Sequence, residues 1–151
     1  GIEISNPGHS YNYKKFSKEQ IHSILKLTKY LIKKYKIKIK FILGHSDIAP
    51  FRKKDPGEKF PWKYLSKKKV GLWHDLNEKK LLKIREKKVD KYDKINFLKN
   101  LHKIGYSRQL NKNKNNKLLT SAFQRRFRQD LVNGIIDQEC LLISKNLTKN
   151  L

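Results

Sequence analysis

Apolar residues recur every three or four positions over residues 18–35, which is the pattern of an amphipathic helix. The repeat consists of Ile21, Ile24, Leu25, Thr28, Leu31, Ile32 and Tyr35. Ser17 precedes this stretch and Gln20 follows three positions later, as in a capping box, so we predict that the helix begins here. Its other face is rich in lysine, which we expect to be solvated. A basic helix lying on a membrane surface is the alternative.

Two stretches have patterns typical of strands. Residues 1–6 have alternating apolar and polar positions, and Pro7 would end this first strand. Over residues 37–43 the pattern has the period of a half-buried strand, since Ile37, Ile39, Phe41 and Leu43 alternate with Lys38, Lys40 and Ile42. The second strand would deliver Gly44 and His45 to the end of a sheet, where open α/β sheets commonly gather their ligands.

Helical patterns dominate the rest of the chain. A short helix is predicted after Pro61, and three helices follow later. Their apolar faces consist of Ile95, Leu98, Leu101 and Ile104, then Leu118, Leu119, Ala122, Phe123 and Phe127, and finally Leu141, Leu142 and Leu147. We expect Gly105 to end the first of these three, a turn at Asn133 and Gly134, and Asp137 to cap the last. The chain thus divides into an α/β part and a helical part.

The composition adds a strong positive charge to this picture. The 151 residues carry a formal net charge of +24, spread along the chain rather than clustered. Such a charge attracts nucleic acid, anionic envelope polymers or anionic membranes, and an AT-rich genome would also produce a lysine-rich chain. Cys140 is the single cysteine, which excludes an internal disulfide framework. No apolar run is long enough to span a membrane, and no signal peptide is recognisable.

The segment 44–57, GHSDIAPFRKKDPG, is where the candidate chemistry lies. It contains His45 and Asp55, and a neutral imidazole and a carboxylate are ligands that suit zinc. One histidine and one aspartate do not make a metal site, and taken alone these residues favour an ordinary surface loop in which Asp47 or Asp55 caps a turn.

The segment resembles the GH-x-DIAP-x-RK-x-DPG motif of the type 2 zinc-dependent N-acetylmuramoyl-L-alanine amidases, the AmpD/AmiD-like family. The resemblance implies that His45 and Asp55 are two of three ligands to Zn²⁺. It implies that Lys53 stabilises negative charge on the scissile carbonyl. The opening residues resemble the family's strand carrying GIE, which makes Glu3 the expected general base. The family's first zinc-ligand histidine belongs to a front half that these residues do not include.

The resemblance also implies a fold and its boundaries. Residues 1–75 would be the C-terminal part of an amidase domain, an α/β unit with a mixed sheet and flanking helices. Residues 76–93 would form a charged linker with some helix, and residues 94–151 a small all-α, three-helix domain similar to peptidoglycan-binding domains. The AFQRRFR run of residues 122–128 is its most specific feature. Because a predicted strand opens the chain, we expect a fragment of a longer domain.

His9 and Trp62 complete the candidate residues. His9 follows the first predicted strand in a loop that borders the family's cleft, and we include it as substrate-binding. Trp62 is included as a wall for a glycan, although packing is the commoner role of such a residue.

The resemblance implies a zinc-dependent amidase that cleaves the bond between N-acetylmuramic acid and L-alanine in peptidoglycan, of which this chain would be an incomplete fragment. The expected partners are peptidoglycan or muropeptides and a missing N-terminal half of the domain, with no specific nucleic acid. The expected location is the cell envelope or periplasm of a bacterium, with the cytoplasm as the alternative. A non-catalytic peptidoglycan-binding module and a basic nucleic-acid-binding protein are the rival functions.

Overall fold

A computed structural model describes residues 1–107 and 113–151 of the chain. The helices are α1 (Lys18–Tyr35), α2 (His45–Ile48), α3 (Trp62–Lys67), α4 (Glu78–Ile84), α5 (Lys91–Ile104), α6 (Asn113–Phe127) and α7 (Gln138–Lys149), with a 3-10 turn at Ile39–Phe41. These described residues contain no strand and no sheet. The predicted α/β fold with a mixed sheet is therefore wrong for this part of the chain.

The 37–43 segment shows why the strand prediction failed. Its backbone forms local hydrogen bonds, from Phe41 N to Lys38 O at 2.9 Å and from Ile42 N to Ile39 O at 3.2 Å. Ile39 and Phe41, expected to face the core, are 42% and 62% exposed, and Ile42 packs against the core instead. Alternation makes a strand only where a neighbouring strand accepts its backbone hydrogen bonds, and none of the described segments does so.

Helix α1 begins where the sequence predicts it. Ser17 Oγ accepts a hydrogen bond from Gln20 N at 3.2 Å, and Gln20 Oε1 accepts one from Ser17 N at 2.9 Å. The capping box is thus confirmed. The helix ends at Tyr35, and Lys36 caps it in the left-handed conformation with φ 51°.

The apolar face of α1 covers the first of two hydrophobic cores. The buried centre of this first core consists of Phe60, Trp62, Leu65 and Val70 from α3 and its flanks. Apolar residues of α1 and Ile4 of the opening segment pack around it. The residues of α1 are only partly buried, so its lysine-bearing side remains in solvent.

The second core joins α4, α5, α6 and α7. Its largest fully buried side chains are Phe97, Phe123 and Phe127. The helix ends agree with the sequence signals, since Asp137 Oδ1 accepts a hydrogen bond from Cys140 N at 2.9 Å and Gly105 ends α5 with φ 113°. The boundaries 1–75, 76–93 and 94–151 stay a prediction, and Leu81 of the 76–93 stretch lies in this second core.

Two features connect the cores. Trp73 packs against both of them, and α6 contacts both α2 and α3. This arrangement places α2, which begins at His45, and the following loop, which contains Asp55, next to α6. None of the helices in the described ranges is long and apolar enough to cross a membrane.

Candidate active site

The 44–57 loop brings His45 and Asp55 together. Gly44 precedes the short helix α2, on which His45 is the first residue. Ser46 N donates a hydrogen bond to Asp55 O at 2.8 Å, which holds the two ends of the loop side by side. His45 Nδ1 consequently lies 3.0 Å from Asp55 Oδ2. Both side chains are accessible, with 43% and 61% of their surface exposed.

His45 and Asp55 are residue types that bind zinc, but they supply only two donors of a zinc site. An imidazole nitrogen and a carboxylate oxygen that already converge are typical zinc donors. A catalytic zinc site normally has three protein donors and one open position. Across residues 1–107 and 113–151, no group of three histidine, cysteine, aspartate or glutamate residues is placed to hold a metal.

Neither Lys53 nor Glu3 is joined to the His45–Asp55 pair. Lys53 is half-buried within the loop, and its backbone N donates to Ala49 O at 3.0 Å. Glu3 is exposed in the opening segment, which runs without secondary structure. In the described residues, no hydrogen bond or ion pair connects either side chain to His45 or Asp55, so their predicted roles stay predictions.

His9 packs beside the end of the loop that contains Asp55. Its ring stacks on Tyr13 at a centroid distance of 4.4 Å, and its Nε2 lies 3.0 Å from Glu58 Oε2. Tyr13 Oη donates to Pro56 O at 2.5 Å and accepts from Lys59 N at 2.9 Å. Burial raises the pKa of Tyr13 to about 12, so this hydroxyl remains protonated at neutral pH. His9, which was predicted to lie in the cleft, and Tyr13 therefore form a strap that covers residues 56–59.

Trp62 faces the first core rather than solvent. It is 5% exposed and packs edge-on against Phe60 with ring centroids 4.8 Å apart. The guanidinium of Arg126 lies 4.2 Å from the centre of its ring. Packing is the role that these contacts describe, and its predicted substrate contact stays a prediction.

A separate cavity of about 450 Å³ lies between α3 and the start of α4. Its lining includes Lys63, Trp73, His74 and Glu78, and none of the six predicted site residues. Burial lowers the pKa of His74, which is therefore neutral near pH 7.

A buried polar cluster that includes Asp47, on the same short helix as His45, was not predicted from the sequence. Asp47, Tyr106 and Arg126 are 6%, 5% and 2% exposed, and they are joined by hydrogen bonds and an ion pair. Asp47 is visible in the motif as a candidate cap. Nothing in the sequence pairs it with residues 59 and 79 positions later in the chain.

Comparisons with known proteins extend this picture. Residues 1–58 match the Amidase_2 family, described as N-acetylmuramoyl-L-alanine amidase. The chain is 31% identical over 153 residues to N-acetylmuramoyl-L-alanine amidase AmiD of Escherichia coli K12, covering 97% of this chain and 55% of AmiD. It is 43% identical over 68 residues to 1,6-anhydro-N-acetylmuramyl-L-alanine amidase AmpD of Haemophilus influenzae, covering 44% of this chain and 35% of AmpD.

The folded chain also matches a solved structure. That structure is E. coli AmiD in complex with the substrate anhydro-N-acetylmuramic acid-L-Ala-D-gamma-Glu-L-Lys, with a TM-score of 0.82 and 32% identity. The match covers 93% of this chain and 55% of AmiD, so the chain spans about half the length of this relative. The motif, the family match and the shared fold agree: residues 1–58 belong to the Amidase_2 family, and the chain is homologous to the N-acetylmuramoyl-L-alanine amidases AmiD and AmpD.

Proposed function

We propose that this chain forms part of a zinc-dependent N-acetylmuramoyl-L-alanine amidase that hydrolyses the amide between N-acetylmuramic acid and L-alanine. The observation that carries the proposal is the approach of His45 Nδ1 to within 3.0 Å of Asp55 Oδ2, inside the residues that match the family. The two donors are accessible to solvent, as a site for a metal and a substrate requires.

His45 and Asp55 would hold the zinc ion, which supplies Lewis-acid polarisation of the carbonyl and a more acidic water. Lys53 is proposed to offset the negative charge that develops on the carbonyl oxygen. Glu3 is proposed to take a proton from the attacking water and to return it to the leaving amine. Both of these side chains would have to approach the pair when substrate is bound.

The third zinc donor is proposed to come from outside the described residues. A second copy of the chain or a further polypeptide segment would provide it, because His45 and Asp55 alone leave the usual set of three incomplete. The chain alone is therefore expected to bind zinc more weakly than the assembled site does.

Muropeptides are the proposed substrates, and the bacterial cell envelope is the proposed location. AmiD has been solved with an anhydro-muropeptide as its substrate, and this chain shares the AmiD fold over most of its length. The net charge of +24 would also favour contact with an anionic envelope.

Zinc binding by the 151-residue chain tests the proposal first. We expect one zinc per chain, measured by calorimetric titration and metal analysis, and loss of at least about tenfold in affinity in His45→Ala and Asp55→Ala, since each removes one of few donors. His22→Ala is the matched control, because His22 is exposed on α1 and should leave zinc binding unchanged.

An assay for release of stem peptide from an anhydro-muropeptide then tests the activity. Hydrolysis that requires both His45 and Asp55 would support the amidase. Zinc binding that neither substitution changes would contradict the proposed site. Retention on insoluble peptidoglycan without any hydrolysis would favour the non-catalytic binding module instead.

A further inference from the structure

We propose that Arg126 of α6 and Tyr106, just beyond the end of α5, are positioning residues for the His45–Asp55 pair. They act through Asp47, which fixes the backbone at the start of α2. Residues of α6 and of the segment after α5 would thus help to form the site. The consequence for zinc binding rests on the proposed function, whereas the consequence for the geometry of the loop does not.

Asp47 fixes the turn from which His45 projects. It lies two residues after His45 on α2 and is 6% exposed. Its Oδ2 accepts a hydrogen bond from Gly44 N at 2.8 Å, so the carboxylate caps the helix on which His45 is the first residue. A helix of four residues has little stability of its own and depends on such contacts.

The carboxylate of Asp47 is in turn held from the other side of the molecule. Tyr106, just beyond the end of α5, donates its hydroxyl to Asp47 Oδ1 at 2.6 Å. Arg126 on α6 forms a buried ion pair with Asp47 Oδ2 through Nη1. Arg126 Nη2 donates a hydrogen bond to Ile42 O at 2.9 Å, which fixes the position of the backbone just before the loop.

Arg126 itself has almost no freedom to move. Its side chain is 3% exposed. Its guanidinium carbon lies 4.2 Å from the centre of the Trp62 ring and 5.1 Å from that of Phe127. The planar guanidinium can stack on an aromatic ring while donating in two directions, a combination that lysine does not reproduce. The orientation of the 44–57 loop is therefore set by rigid groups of α3 and α6.

A second buried ion pair provides an internal control. Arg128, two residues after Arg126, is fully buried and pairs with Asp137 in the second core. Within residues 1–107 and 113–151, its side-chain hydrogen bonds and ion pairs go to Asn133, Asp137 and Glu139 and not to the 44–57 loop. Ser144 likewise has a buried hydroxyl, which accepts from Asn100 at 3.1 Å and lies within the helical core. Arg128→Lys and Ser144→Ala therefore perturb the second core without removing a hydrogen bond to Asp47.

The test compares Arg126→Lys and Tyr106→Phe with Arg128→Lys and Ser144→Ala in the whole chain. Amide hydrogen exchange should accelerate about tenfold at Gly44, Ser46 and Ala49 in the first two variants, which corresponds to about 1.4 kcal/mol of local stability. Exchange at these amides should stay near the native rate in the two control variants. The ring nitrogens of His45, observed by NMR, should change in the same two variants only, because the contact with Asp55 is loosened.

Tyr106→Phe keeps the aromatic ring in the core and is the variant to rely on if Arg126→Lys does not fold. The inference is overturned if exchange at residues 44–49 rises no more in Tyr106→Phe than in Ser144→Ala. Weaker zinc binding in Tyr106→Phe, with unchanged binding in Ser144→Ala, would extend it to the metal. If the native chain binds no zinc but the exchange pattern is as expected, the proposed function fails and the positioning role stands.

Discussion

At the scale of single residues, Gly57 links the strap of His9 and Tyr13 to the loop that ends at Asp55. Its φ of +80° lies in the left-handed region, and a Cβ there would meet Tyr13 Oη at 2.6 Å and His9 Cε1 at 2.8 Å. Two requirements, of backbone conformation and of space, therefore coincide at one residue. The glycine allows the strap to press on the loop two residues after the candidate metal ligand.

Replacing Gly57 with alanine should destabilise the chain more than the same change at Gly8. Both residues have left-handed backbones, at +80° and +70°, which costs alanine about 1–2 kcal/mol in each case. Only at Gly57 does the added methyl group also displace side chains, whereas Gly8 has no neighbour within 4 Å. The difference in unfolding free energy, measured by urea denaturation, isolates the steric contribution. Equal losses in the two variants would contradict the close contact.

At the scale of elements, local signals predicted helices well and strands badly. The ends of α1, α5 and α7 agree with the predicted caps because a cap is made by residues within three or four positions of each other. The alternation over residues 37–43 has the period of a strand, but a strand also requires a neighbour that sequence periodicity does not identify. The site divides in the same way. The motif predicts His45 and Asp55, while the Asp47–Arg126 pair joins residues 79 positions apart.

The capping box of α1 provides a direct test at this scale. Ser17→Ala should cost about 1 kcal/mol of unfolding free energy, because Gln20 N loses its acceptor at the exposed start of the helix. Ser23→Ala, at an exposed position within the same helix, should be neutral or slightly stabilising since alanine favours helix. Urea denaturation followed by circular dichroism measures both. A loss in Ser23→Ala as large as that in Ser17→Ala would show that the cap is unimportant.

At the scale of the whole molecule, the charge of +24 governs non-specific association. Lysines on α1 and along residues 14–40 are largely exposed, so their field extends into solvent. This charge alone does not indicate a nucleic-acid-binding function, since any polyanion would respond to it.

We expect the chain to bind unrelated DNA duplexes with equal affinity, and to lose that affinity steeply as salt rises. Release of counterions drives such binding, so the logarithm of the binding constant should fall linearly with the logarithm of the salt concentration. Fluorescence anisotropy with two duplexes of different sequence measures both effects. A preference for one duplex that persists at high salt would revive the nucleic-acid alternative.

Trp73 has a consequence for how the molecule unfolds. Its indole packs against both cores, and its ring centroid lies 5.9 Å from that of Phe127. Neither core can come apart without exposing one side of the same ring to water, so each adds to the other's resistance to heat. The two halves of the chain are therefore energetically interdependent. A destabilising substitution in either core, even far from the 44–57 loop, would therefore reduce the fraction of molecules in which that loop is correctly formed.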